Sequence, residues 1–154
     1  MITPDELEIL RKPEVQGYIV GTLKYVVPGD VLFHIETEQT FTVGKVNETE
    51  FQIIPDLQGY EWQLKEHLRF FLRIPDVYSR DPEKPERSLI GMCHHIACIN
   101  PVTTIPEMTG EEEKIIEWKV TLNPGGGVVK QIYGDTLPLV LLMALKWEVE
   151  NGHK

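Results

Sequence analysis

The run Leu137-Pro138-Leu139-Val140-Leu141-Leu142-Met143-Ala144-Leu145 constrains this chain more than any other stretch, because it carries no polar side chain. A surface helix buries one stripe and wets the rest, so a helix that is apolar all round must be covered all round. The run is too short to cross a bilayer as a helix. At about 100° per residue, Leu137, Leu141, Ala144 and Leu145 form one face, and Leu139, Leu142 and Met143 lie towards the opposite side. One face can pack on a sheet; the other must meet a second subunit or the rest of the chain. The reading is a homo-oligomer whose interface includes Leu139, Leu142 and Met143, each side chain contributing about 1.5–3 kcal/mol when fully buried. The alternative is a central helix wrapped by its own chain. Asp135 or Thr136 caps this helix, which should run to about Asn151.

Upstream, the pattern is mostly of period two. Thr3-Pro4-Asp5-Glu6 has the form of a capping box, so a short helix begins near Pro4 and is stopped by Pro13. Tyr18 to Val27, rich in β-branched and aromatic residues, reads as a strand. Pro28-Gly29-Asp30 is turn chemistry, and Val31 to Thr37, Thr40 to Val46 and Phe51 to Ile54 continue a meander. Residues 60–74 fit both periods and are read as a helical turn giving way to a strand. The proline- and charge-rich stretch 75–87 is a solvated loop, Ser88 to Ile99 a strand, and 100–113 a second loop with solvated charge at Glu111, Glu112 and Glu113. Lys114 to Leu122 and Val128 to Tyr133 form a hairpin around Asn123-Pro124-Gly125-Gly126-Gly127. The expected fold is α+β: one domain over residues 1–154, with a curved antiparallel sheet of about six to eight strands, meander or barrel-like, between a short N-terminal helix and the apolar C-terminal one.

Composition bounds function by exclusion. A formal net charge of -9 and a pI near 5.0 oppose broad nucleic-acid binding, which gains affinity by releasing counterions to a basic face. The opening MITPDELEIL has neither the basic leader nor the apolar core of a secretion signal, so a cytoplasmic location is expected. Nucleophilic catalysis has no visible support: the serines are Ser79 and Ser88, neither in a Gly-x-Ser-x-Gly turn, and abundant carboxylates do not locate a general acid or base.

Three constellations remain. In Met92-Cys93-His94-His95-Ile96-Ala97-Cys98, strand geometry puts Cys93 and His95 on one side and His94 and Cys98 on the other. A metal site would then need Cys93 and His95 joined by a pair from elsewhere. His34 and Glu36 are the best donors, in a set suited to zinc or a similar divalent ion. In His67-Leu68-Arg69-Phe70-Phe71-Leu72-Arg73, the register that buries Leu68, Phe70 and Leu72 turns Arg69, Phe71 and Arg73 outward, a strip able to stack a base and pair with phosphate. The triple glycine lacks the Gly-Lys-Ser/Thr of a phosphate loop and reads as a hairpin tip.

The function expected from these features is a non-catalytic, acidic binding module that self-associates or holds a protein partner, as an assembly subunit or a protein-binding inhibitor. Two alternatives stand beside it. One is a small metal-dependent enzyme or metal sensor using Cys93, His95, His34 and Glu36. The other is a module for a nucleotide-like anion using Arg69, Phe71 and Arg73.

Overall fold

The structure, a computed structural model, describes residues 2–151. It is α+β, with eight strands in two antiparallel sheets that do not close into a barrel. The single curved sheet expected from sequence is thus divided in two. Two helices come first, α1 (Pro4–Leu10) and α2 (Pro13–Leu23). A meander follows: β1 (Val31–His34), β2 (Thr40–Val46), β3 (Glu50–Leu57) and β4 (Tyr60–Leu64), then a 3₁₀ segment (Lys65–Phe70) leading into β5 (Phe71–Ile74). After a loop come α3 (Leu89–Met92), β6 (Ile96–Thr103), α4 (Pro106–Thr109), β7 (Ile115–Gly125), β8 (Val128–Gly134) and α5 (Leu137–Glu150). The strand orders are β4-β3-β2-β1-β5 and β6-β7-β8.

Local chemistry accounts for the ends of several elements. The Thr3 hydroxyl accepts the Glu6 amide at 3.2 Å, as the capping box requires. Thr136 caps α5 in the same way through Leu139, and Gly125, Gly126 and Gly127 all take positive φ at the β7–β8 tip. The Pro28–Gly29 turn forms, with Gly29 at φ +90°, but it joins a helix to a strand.

Four sequence expectations are corrected. Residues 60–64, read as the opening of a helical turn, form β4 paired with β3, and the turn comes only at Lys65–Phe70. Residues 18–23 belong to α2, because Pro13 starts a helix as well as ending one; Val15, Ile19 and Leu23, four apart, bury a helical stripe that overrides the β propensity of the local residues. The segment from Ser88 opens with α3, since the Ser88 hydroxyl accepts the Gly91 amide at 3.0 Å and caps a turn of helix. Strand β1 ends at His34, where the chain turns into β2.

The core lies in two clusters on opposite faces of the β1–β5 ribbon. Phe33 and Leu72 face the larger one, built around α5 with Leu10, Val15, Ile19, Leu89, Met92, Val120 and Leu122. Leu32 and Phe71 face the smaller, with Val26, Phe41, Val43, Phe51 and Ile53. Because the ribbon is buried on both faces, the adjacent residues Leu32 and Phe33, and Phe71 and Leu72, are all inside although they point to opposite sides.

Candidate functional site

The all-apolar helix is covered by its own chain. α5 packs against α1, α2, α3, β7 and β8, and Leu142, named above as an interface residue, is 3% exposed inside this core. Leu142 therefore needs no second subunit to cover it. Leu139 and Met143 differ from Leu142. With Trp147 they form an i, i+4, i+8 stripe lining a groove of about 820 Å³, which is also lined by residues 130–134 of β8 with Asp135 after it, and by Asp5, Glu8 and Ile9 of α1. Its charged rim is of mixed sign, with Asp5, Glu8, Asp135 and Glu150 against Lys12, Lys130 and Lys146.

The edges of the two sheets are treated unequally. β5 ends the five-stranded sheet, and the Gln16 side chain closes its outer edge: Gln16 Oε1 accepts the Arg73 amide at 2.7 Å and Nε2 donates to the Arg73 carbonyl at 3.3 Å. β6 is blunted by Pro101. β8 is the opposite edge of the same three-stranded sheet and pairs only with β7. Among the described residues no backbone group outside β7 hydrogen-bonds to it. Alternate N–H and C=O groups of such a strand point outward, here beside the groove.

The cysteine–histidine stretch is organised by a buried carboxylate. Glu148 of α5 is fully buried, and its Oε1 accepts the amides of His94 at 2.9 Å and His95 at 3.0 Å. The His95 ring Nε2 lies 3.9 Å from the same oxygen. The Tyr18 hydroxyl is 3.3 Å from His94 Nε2 and donates to the Met92 carbonyl at 3.4 Å; burial, with Glu148 and Cys93 nearby, holds that phenol above its ordinary pKa. Cys93 is buried in the larger core. Burial pushes its thiol pKa well up, and the Glu148 carboxylate adds to the shift. A thiol held protonated is a poor ligand and a poor nucleophile.

The four residues proposed as metal ligands are not brought together. Cys93 belongs to the larger core cluster, whereas His34 lies on the other face of the β1–β5 ribbon, edge-on to Phe71 at 4.9 Å between ring centres. His34 Nδ1 meets the Thr37 hydroxyl at 2.9 Å and accepts the Thr37 amide at 3.2 Å, and Glu36 is exposed in the turn that follows. Among the described residues no group of three or more His, Cys, Asp or Glu side chains is arranged to hold a metal.

The Arg69, Phe71, Arg73 strip is also dispersed. Phe71 is 4% exposed, and Phe70, expected inside, is 46% exposed. The cause is that β5 begins only at Phe71, so the outward period never extends to Arg69. Arg73 is buried against Asp30 at 3.3 Å. That aspartate also pairs with Arg80 at 2.8 Å and Arg87 at 3.0 Å, which fastens the 75–88 loop to the start of β1. Burial lowers the Arg73 pKa, and Asp30 opposes the shift. Arg69 alone stays at the surface, its guanidinium 4.8 Å from the centre of the Phe70 ring.

Sequence reasoning missed Trp147, Ile9 and the edge of β8. Trp147 carried a legible signal, four residues past Met143, but Lys146 and Glu148 interrupt the apolar run there. Compared with known proteins, the chain matches no family model, no curated protein and no solved structure, so its chemistry is read from this geometry alone.

Proposed function

We propose that this chain is a non-catalytic interaction module that takes an extended peptide segment of a protein partner along β8. The observation that carries the reading is an open strand edge beside a groove lined by an apolar stripe, in a chain whose β5 edge is sealed by Gln16. Strand addition draws affinity from main-chain hydrogen bonds, and every second side chain of the guest enters the neighbouring groove. The stripe Leu139, Met143 and Trp147 spans about 12 Å along the helix at 1.5 Å per residue, enough for two inward side chains of an extended guest about 6.6 Å apart. A rim of mixed sign favours main-chain recognition over selection by charge.

The test is a ¹⁵N-resolved titration with peptides of alternating apolar and polar residues. Amide shifts confined to 130–135 and the Trp147 indole, lost in Met143→Glu, support the reading. Absence of shifts there across the panel sinks it. Light scattering separates the source of the guest: a wild-type dimer broken by Met143→Glu makes the occupant a second copy of this chain.

A further inference from the structure

A second groove, of about 620 Å³, runs between α2 and the 3₁₀ segment before β5. Its electrostatics invert those of the molecule. The chain carries a formal charge of -9, yet Arg11, Lys24, Lys65 and Arg69 line this groove against the single carboxylate Glu66. Arg11 is paired with Glu38 at 3.3 Å. Among the described residues Lys24, Lys65 and Arg69 have no carboxylate within ion-pair distance. Three cations left unpaired on one groove of an acidic protein form a local attractive field for an anionic partner.

The apolar lining of this groove includes Val20 and Ile35, each nearly half exposed, and Leu68. Gly17 of α2 also lines the groove, and an added Cβ there would meet nothing within 4 Å. The groove therefore approaches the α2 backbone without a side chain in the way. An extended guest finds no purchase here, because Gln16 already holds the N–H and C=O of Arg73 on the one strand edge that borders the groove. A guest must satisfy its own backbone, which a helix does.

We infer that this groove docks an amphipathic α-helix of a partner protein, with small and apolar residues facing Gly17, Val20 and Ile35 and acidic residues flanking them towards Lys24, Lys65 and Arg69. This surface is separate from the β8 groove and shares none of its lining residues.

The probe is a fluorescein-labelled helical peptide with Ala and Leu at i, i+3, i+4 spacing and Glu on both flanks, read by anisotropy on the full chain. A peptide of the same composition in scrambled order, oligoglutamate and single-stranded DNA serve as comparison ligands. The expected result is that the amphipathic peptide binds about tenfold or more tightly than either peptide control, and that Arg69→Glu with Lys65→Glu weakens it by at least about tenfold. Salt should weaken binding as well. Gly17→Leu, which keeps every charge and adds a good helix former, should block it to a similar degree. Equal affinity for oligoglutamate, tighter binding of the DNA, or indifference to both the charge-reversed and the Gly17→Leu proteins would overturn the inference. Circular dichroism on each variant confirms that the fold is retained.

Discussion

Replacing Asp30 by Asn tests how the 75–88 loop is held. Asp30 is one carboxylate serving three guanidinium groups, with Arg73 3% exposed and Arg80 45% exposed at the side chain. In the native protein the buried Arg73 charge is compensated by Asp30 at 3.3 Å. Asn keeps the shape and an oxygen able to accept the Val27 amide, a contact now at 2.9 Å, but removes the charge. Breaking a buried pair on one side leaves the other ion uncompensated and costs about 3–5 kcal/mol. For a chain of this size that corresponds to a fall in Tm of roughly 6–20 °C. Arg80→Ala removes a solvent-screened partner of the same carboxylate and should cost at most about 1 kcal/mol. Urea denaturation followed by circular dichroism measures both. If Asp30→Asn loses less than about 1 kcal/mol, or Arg80→Ala loses as much as Asp30→Asn, then burial is not what makes this cluster matter.

Other substitutions separate further parts of the account. Leu142→Glu places an unpaired charge in the α5 core and should unfold the chain outright by circular dichroism, whereas Met143→Glu, in the groove lining, should leave it folded; a folded Leu142→Glu protein would return Leu142 to a surface role. Burial raises the Cys93 pKa in the folded state, so the unfolded chain loses its thiol proton first. The associated stability is complete below the ordinary thiol pKa of about 8.5 and is lost above it, by at most about 1.4 kcal/mol per pH unit. Cys93→Ala should flatten the decline measured between about pH 8.5 and 10, and an unchanged slope would assign it to another group. Gly17→Ala and Gly21→Ala, where an added Cβ meets only open space, should each raise stability by about 0.5–1 kcal/mol. Gly91→Ala should lower it by about 1–3 kcal/mol, because its Cβ would collide with the Pro85 carbonyl; equal effects at the three sites would contradict the packing described.

Features that depend on neighbouring residues were legible in the sequence. The Thr3 cap, the glycine-tipped β7–β8 turn and α5 closing near Asn151 appear where the pattern places them, since caps, tight turns and helices rest on bonds within a few residues, and β2 from Thr40 to Val46 appears where its alternation places it. Leu139 and Met143 of the candidate groove could also be named from the apolar run. The helical state of 18–23 could not be read from β propensity, because burial of Val15, Ile19 and Leu23 against α5 and the surrounding core decides it.

What covers α5, and which charges are desolvated, was left to tertiary structure. Asp30 meets Arg73, Arg80 and Arg87 across 43, 50 and 57 residues of sequence, and Glu148 reaches the His94 and His95 amides across 54 and 53. The same distance in sequence separates Gln16 from the β5 edge it closes, 57 residues on. A carboxylate or amide in sequence carries no sign of its partner, because the worth of a polar contact depends on separation and on exclusion of water. Both come into being only when the strands and helices have packed.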